Sequence, residues 1–291
     1  MQGSVPVPTL VCGDRQLAFR GAAIMGVINV TPDSFSDGGQ LRNARTTKLD
    51  KVLRRAQRMC AEGALFLDVG GESTRPGAAP VSEQEELDRV VPVIEALRTR
   101  FDAVLSVDTS SPGVMQAATS AGVGLINDVR ALRRPGALDV VAASGVGICL
   151  MHMSDEPDVM QQNPDYENVV ASVGAFLAER VNACEQAGIS RNRIMIDPGF
   201  GFGKTLQHNL RLFAALPTLC RLGLPVLVGV SRKSMIGAVT GRPARGRVAG
   251  GLALATLADQ AGAAVIRTHD VAATRDALMM YRAVVDESSE Q

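Results

Sequence analysis

Short apolar runs recur along the chain, each followed by a polar tip and then by a helical pattern. The runs cover Ala23 to Ile28, Ala64 to Val69, Ala103 to Val107, Val123 to Ile126, Val146 to Met151, Arg193 to Ile196, Pro225 to Val230 and Ala263 to Ile266. They are rich in Val, Ile and Leu and do not alternate with polar residues, the pattern of parallel strands covered on both faces. Between them, helical spacing is clearest over Thr47 to Ala61, Glu83 to Arg100, Glu167 to Ala187 and Arg247 to Ala261. Ahead of the first run, Gly13-Asp14 between two apolar stretches predicts a hairpin. About eight strand-helix units favour a closed (β/α)8 TIM barrel with a short N-terminal β-hairpin. A doubly wound sheet would more often stop near six strands and carry a glycine fingerprint after the first, which this sequence lacks. Barrels of about 250 residues commonly form one unit, so residues 1–291 read as a single domain.

In such a barrel ligands gather at the C-terminal ends of the strands. The residues there are Asn29, Asp68 with Glu72, Asp108, Asn127, His152, Asp197, Ser231 to Lys233, and Arg267 with His269. Turn residues and helix caps account for one or two such groups, but not for a polar group at every end. The segment Gly26 to Gly39 is long for a strand-to-helix loop and carries oxygen donors suited to magnesium or phosphate, plus Phe35. Composition leaves lid and plain connector equally open. Gly70 to Gly77 places hydroxyls and the Arg75 guanidinium on a glycine-flexible turn, either a phosphate cradle or only a turn. Asp108 and Asn127 can pair with the donor edge of a heterocycle, although either alone is more often a cap.

The stretch Asp197-Pro198-Gly199-Phe200-Gly201-Phe202-Gly203-Lys204-Thr205 has proline where a phosphate-binding GxxxxGK[ST] loop needs glycine, and its alternating glycines do not fit GxGxxG. What remains is an acid at a strand end and a backbone able to approach a flat ligand, with Phe202 as a wall. Lysine occurs only at positions 48, 51, 204 and 233 among thirty cationic residues. Lys233 therefore reads either as a required compact donor or amine, or as a chance survivor at a helix start. His208 reads as a helix-surface residue, whereas His269 beside Arg267 lies at the eighth strand, near the usual barrel phosphate site. No histidine pair has zinc spacing, and no nucleophile elbow or triad order stands out. Donors for an anion and acceptors for a heterocycle suit cleavage of a pyrophosphate ester.

Composition narrows the partners. Hydrophobic residues make up 46% and charged residues 21%, enough for a large core. Thirty Lys plus Arg balance thirty Asp plus Glu, so no field is available to hold a nucleic acid. The five scattered cysteines form no CxxC pair and read as reduced thiols. Without a secretory start or a membrane-spanning stretch, the expected location is the cytoplasm, away from any membrane.

From Gly26 to Val271 the sequence resembles the dihydropteroate synthase family through its first loop and the motifs GESTRPG, SVDTS, IND, LMHM, DPGFGFGK, GVSRKSMIG and RTHDV. The resemblance implies condensation of a dihydropterin pyrophosphate with p-aminobenzoate, assisted by Mg2+, in a homodimer. It implies that Asp108, Asn127, Asp197 and Lys233 hold the pterin and that Met151 and Phe202 pack on its ring. Arg267 would stack on the pterin and touch the pyrophosphate, with His269, Asn29, Thr74 and Arg75 also on the phosphates. Asn29 with Asp33 would meet magnesium, and Phe35, Pro76 and Ser234 would form the p-aminobenzoate pocket. One departure is Ser154-Asp155-Glu156-Pro157 after Met151-His152-Met153, where the family often has glutamine and glycine. Other readings are a methyltetrahydrofolate-type methyltransferase, a silent pterin-binding paralogue, and a Schiff-base aldolase using Lys233. The loop from Asn29 to Gly39 together with Ser231 to Ser234 favours the synthase, since a methyltransferase needs no pyrophosphate lid.

Overall fold

A computed structural model describes residues 7–30, 41–72, 81–154 and 166–289. A hairpin of β1 (Thr9–Cys12) and β2 (Arg15–Ala18) leads. Then come β3 (Ala23–Asn29), α1 (Leu41–Ala61), β4 (Phe66–Gly70), α2 (Glu83–Arg98), β5 (Val104–Asp108), α3 (Pro112–Ala121), β6 (Leu125–Asp128), α4 (Ala137–Ser144), β7 (Gly147–Met151) and α5 (Val169–Gln186). The last part holds β8 (Ile194–Asp197), α6 (Leu206–Ala214), α7 (Leu216–Cys220), β9 (Leu227–Val228), α8 (Ser234–Thr240), α9 (Val248–Gln260), β10 (Val265–Thr268) and α10 (Val271–Ser289). Strands β3 to β10 form one parallel sheet in the order β8-β7-β6-β5-β4-β3-β10-β9. A bridge between Ile196 and Val226 joins its two ends, so the expected (β/α)8 barrel is the observed fold. The hairpin is the expected one as well, turning at Gly13-Asp14 with Cys12 opposite Arg15.

Local sequence explains where the helices begin. Ser82 accepts from the Glu85 N–H at the start of α2, Ser111 caps α3 ahead of Pro112, and Asn168 accepts from two amides of α5. Such caps satisfy amides that the first turn leaves without partners. Strand residues facing the helices form one large apolar cluster, while Leu10, Cys12, Phe19, Met25, Phe66, Val104, Leu125, Cys149, Met195 and Leu227 pack in a second. Leu10, Cys12 and Phe19 tie the hairpin region to that second cluster, against residues of the barrel strands. Its close approach depends on Gly147, where a Cβ would lie 2.8 Å from the Val11 carbonyl oxygen.

One strand differs from expectation. The apolar run Pro225 to Val230 yields a strand of only two residues, Leu227–Val228. Pro225 has no N–H for a ladder, and its carbonyl instead accepts from Ile196 at 3.0 Å. The chain then leaves the sheet early, which frees Ser231 to Lys233 to turn over the mouth. Among the described residues no helix is long and apolar enough to cross a membrane.

Candidate active site

Strand register sets the height of the polar groups. Asn29 is opposite Gly70, Gly70 opposite Asp108, and Asp108 opposite Asn127, so these positions form one row across β3 to β6. Met151 and Asp197 face each other in the same way on β7 and β8. Two residues deeper, Asp68 pairs with Ser106. Because Gly70 has no side chain, its neighbours approach: a Cβ there would lie 3.5 Å from the Asp108 Cβ and 3.8 Å from the Asn29 Oδ1.

Arg267 is the hub of the mouth. Its Nε donates to Asp68 Oδ2 at 2.6 Å and its Nη2 to Asp108 Oδ2 at 2.7 Å. Asp68 is fully buried and also accepts from Ser106 Oγ at 2.5 Å and Asn127 Nδ2 at 3.1 Å. A buried carboxylate needs such partners, because desolvation without them costs several kcal/mol. The two acids hold the Arg267 guanidinium firmly protonated against the penalty of burial. Burial pushes the Asp108 carboxyl up to about 7, with Arg267 opposing that shift and Asp68 adding to it. The 2.7 Å contact is the reason to regard Asp108 as an ion-paired carboxylate near neutral pH.

At the end of β8, Asp197 Oδ1 accepts from the Gly199 N–H at 2.7 Å. Gly199 has φ of +69°, and a Cβ there would lie 1.9 Å from the His152 carbonyl oxygen, so only glycine fits. Burial raises the Asp197 pKa, and Lys233 opposes that. Lys233 donates to the Phe200 carbonyl, and its Nζ stands 4.7 Å from the centre of the Phe202 ring. Burial lowers the Lys233 pKa to about 8, against the pull of Asp197. Met151 and Phe202 meet beside Val129 and Met153 in a small apolar cluster of their own. The mouth thus presents an acid next to an apolar wall, a suitable place for a flat heterocycle with N–H donors.

At the end of β10, His269 donates its backbone N–H to Ser231 Oγ at 3.2 Å, and its Nδ1 is 3.1 Å from the same oxygen. Burial first, and then Arg267, Arg55 and Arg232, lower its pKa to about 4, so the ring is neutral at pH 7. Arg232, in the left-handed region at φ of +59°, turns outward to pair with Asp270. Ser234 is exposed at the first position of α8. Asp33, Phe35, Thr74, Arg75 and Pro76 lie outside the described residues, as do residues 155–157 of the departure from the family pattern.

His152, one of the strand-end residues, and Asp128, the last residue of β6, do structural work. His152 is 4% exposed, and its ring packs edge-on against Phe176 at 5.0 Å, with burial and then Lys204 lowering its pKa to about 3. Asp128 accepts from Ser110 and from the Arg130 and Leu132 amides at 2.8 and 2.7 Å, bracing a turn in which Ala131 and Leu132 have positive φ. His208 is half-buried, and its side chain completes a capping box with Thr205.

Sequence reading missed the work of Lys204, which lies beneath the glycine loop. Its Nζ reaches the carbonyls of Gly199 at 2.8 Å and Phe202 at 3.0 Å, and His152 Nδ1 at 2.9 Å. Burial lowers its pKa to about 7, but these acceptors call for the ammonium form. Lys204→Met should therefore lower stability by about 2–4 kcal/mol, measured by urea unfolding, and should weaken ligand binding at the mouth through a loosened loop. Unchanged stability would show that the loop does not depend on this cation.

Residues 25–269 match the family of pterin binding enzymes. The dihydropteroate synthase of Haemophilus influenzae is 52% identical over 263 residues, covering 90% of this chain and 94% of the relative. Among solved structures, Xanthomonas albilineans dihydropteroate synthase with 4-aminobenzoic acid superposes with a TM-score of 0.89 at 52% identity, over 96% of this chain and 98% of the other. The same bacterial enzyme in complex with 7,8-dihydropteroate gives 0.83 at 47% identity, over 95% and 98%.

Proposed function

Because the chain belongs to the pterin-binding enzyme family, as one of its dihydropteroate synthases, we propose that the mouth described above divides its substrate between two sets of residues. The reaction joins 6-hydroxymethyl-7,8-dihydropterin pyrophosphate to p-aminobenzoate, giving 7,8-dihydropteroate and pyrophosphate. Asp197, with Asn127 and Lys233, takes the pterin edge. Met151 and Phe202 cover the ring, and Arg267 with His269 faces the phosphates. The observation that carries this division is Arg267 held between Asp68 and Asp108, with Asp197 and its apolar wall at the end of β8 in the same opening.

During reaction the bond from the pterin methylene carbon to pyrophosphate breaks and a bond from that carbon to the aniline nitrogen forms, with loss of one nitrogen proton. The nitrogen is a weak nucleophile, so bond breaking leads and the carbon gains positive charge. Asp108 would stabilise that charge, and Arg267, bound to it, would stabilise the leaving group. Thr74 and Arg75 would add contacts to the phosphates. Phe35, Pro76 and Ser234 would hold p-aminobenzoate and exclude water that could trap the cation.

Magnesium fits the donor chemistry available. Asn29 offers a hard oxygen near Asp108, and the described residues contain no group of three His, Cys, Asp or Glu that could hold an ion by themselves. Magnesium commonly uses one or two protein oxygens with waters and substrate phosphates, so Asn29 and Asp33 would hold it. The ion would supply charge neutralisation for the pyrophosphate. Asp33→Ala is expected to lower kcat by about 10- to 100-fold while leaving the dihydropterin Kd within about threefold. Steady-state kinetics across a magnesium series, set beside equilibrium binding, tests this. Equal, small effects on both would contradict it.

A homodimer is the assembly this reading implies. Val239, Leu257, Met280 and Val284 of α8, α9 and α10 are 50–66% exposed, and exposed apolar side chains on helices that pack side by side suit a partner surface. A cytoplasmic setting agrees with the reduced cysteines and with phosphorylated substrates.

A further inference from the structure

Between α1 and the start of α10, a cavity of about 440 Å3 opens beside the mouth. Arg55 and Arg58 of α1 line it together with His269, Asp270 and the first residues of α10. His269 thus belongs to both places, since it also follows β10 two residues after Arg267. Among the described residues that line it, the charges do not balance. Asp270 is already held by the Arg232 guanidinium, and the other carboxylate in the lining is Glu62. Against it stand two arginines. Arg55 is half-buried, and burial, then Arg232 and Arg58, disfavour its charge, while Asp270 favours it. A cation kept under such conditions is one that an arriving anion would relieve. The amides at the start of the long helix α10 add to the same field.

We propose that Arg55, supported by Arg58, forms an outer anion site that receives the distal phosphate of the substrate's pyrophosphate group and through which inorganic pyrophosphate leaves. The proposal rests on the reading of the mouth as a pyrophosphate-cleaving site, and adds to it a residue on α1 and a direction of departure. Arg267 is pinned by two carboxylates at the inner end. His269 stands next, with Nδ1 engaged by Ser231 so that Nε2 is the nitrogen that meets a ligand. Arg55 lies beyond it. A cationic sequence of this kind concentrates an anion and passes it outward. His269 gains a proton more readily once the anion is present, because the arginines that hold it neutral are then themselves neutralised.

Calorimetric titration of inorganic pyrophosphate into the full-length protein, with its pterin pocket filled by 6-hydroxymethyl-7,8-dihydropterin, tests this without turnover. Arg55→Gln is expected to raise the pyrophosphate Kd about tenfold or more, and Arg55→Lys, which keeps the charge but loses the planar fork, by about threefold. Dihydropterin affinity should stay within about twofold in both, showing an intact mouth. A pyrophosphate Kd within twofold of the parent in Arg55→Gln would overturn the proposal. So would parallel loss of dihydropterin and pyrophosphate binding, or no measurable pyrophosphate binding by the parent protein. Failure of the parent to form dihydropteroate would count against the reaction itself, and it is read in a separate assay.

Discussion

Asp197→Ala is expected to weaken dihydropterin binding by at least about 100-fold, roughly 3 kcal/mol, because the pterin's amino and ring N–H donors lose a charged acceptor in a desolvated site. The carboxylate is buried at the end of β8 and aimed by the Gly199 amide. Asp197→Asn should be nearly as damaging. Its amide nitrogen would face ligand donors with a donor of its own, and those groups would be left buried and unpaired. Both variants also remove the charge that favours protonated Lys233, so the lysine loses its ammonium form at lower pH. Fluorescence or calorimetric titration with dihydropterin measures the loss. Affinity within fivefold of the parent in both variants would show that the pterin edge lies elsewhere.

Arg267→Ala should be the most damaging substitution overall. Removing the guanidinium leaves Asp68, fully buried, and Asp108 without their cation, and breaking a buried pair in this way costs about 3–5 kcal/mol. It also removes charge at the point where pyrophosphate departs, so kcat/KM should fall about 1000-fold or more. Arg267→Lys cannot span both carboxylates with a compact ammonium and should recover only part of either quantity. The two losses are separable. Adding Asp68→Asn to Arg267→Ala removes the more deeply buried of the two unpaired charges and should restore much of the stability without restoring activity. If activity returned with stability, Arg267 would be a structural brace rather than a partner of the leaving group.

This separation marks where the sequence was readable. Parallel strands announced themselves as non-alternating apolar runs, and their ends put Asn29, Asp108, Asn127 and Asp197 at a common mouth, because register follows from a closed barrel. Asp68 was noted only as one tip among several. Its position within the run Phe66–Gly70 was the available signal, since a carboxylate in a strand covered on both faces requires a cation or donors beside it. Which cation it takes depends on β3, β4 and β10 lying side by side, and that spans 199 positions of sequence.

Lys204, His152 and Asp128 fail in the opposite way. Each has the residue type of a ligand-binding group, yet each turns inward to meet backbone or ring atoms of the protein itself. Composition cannot distinguish those directions, because the choice depends on the positive φ at Gly199, Ala131 and Leu132 and on the carbonyls these turns leave exposed. The short β9 is a smaller case. Its apolar run was long enough for an ordinary strand, but proline at its start and the early turn to Ser231 ended the ladder.

Pyrophosphate release by the purified protein tests the central claim most directly. It should be followed with magnesium and 6-hydroxymethyl-7,8-dihydropterin pyrophosphate, with and without p-aminobenzoate, and the pteridine product identified by mass. The expected result is release that depends on both substrates, with 7,8-dihydropteroate formed in step with pyrophosphate. Dihydropterin binding without release, or release at the same rate without p-aminobenzoate, would contradict it.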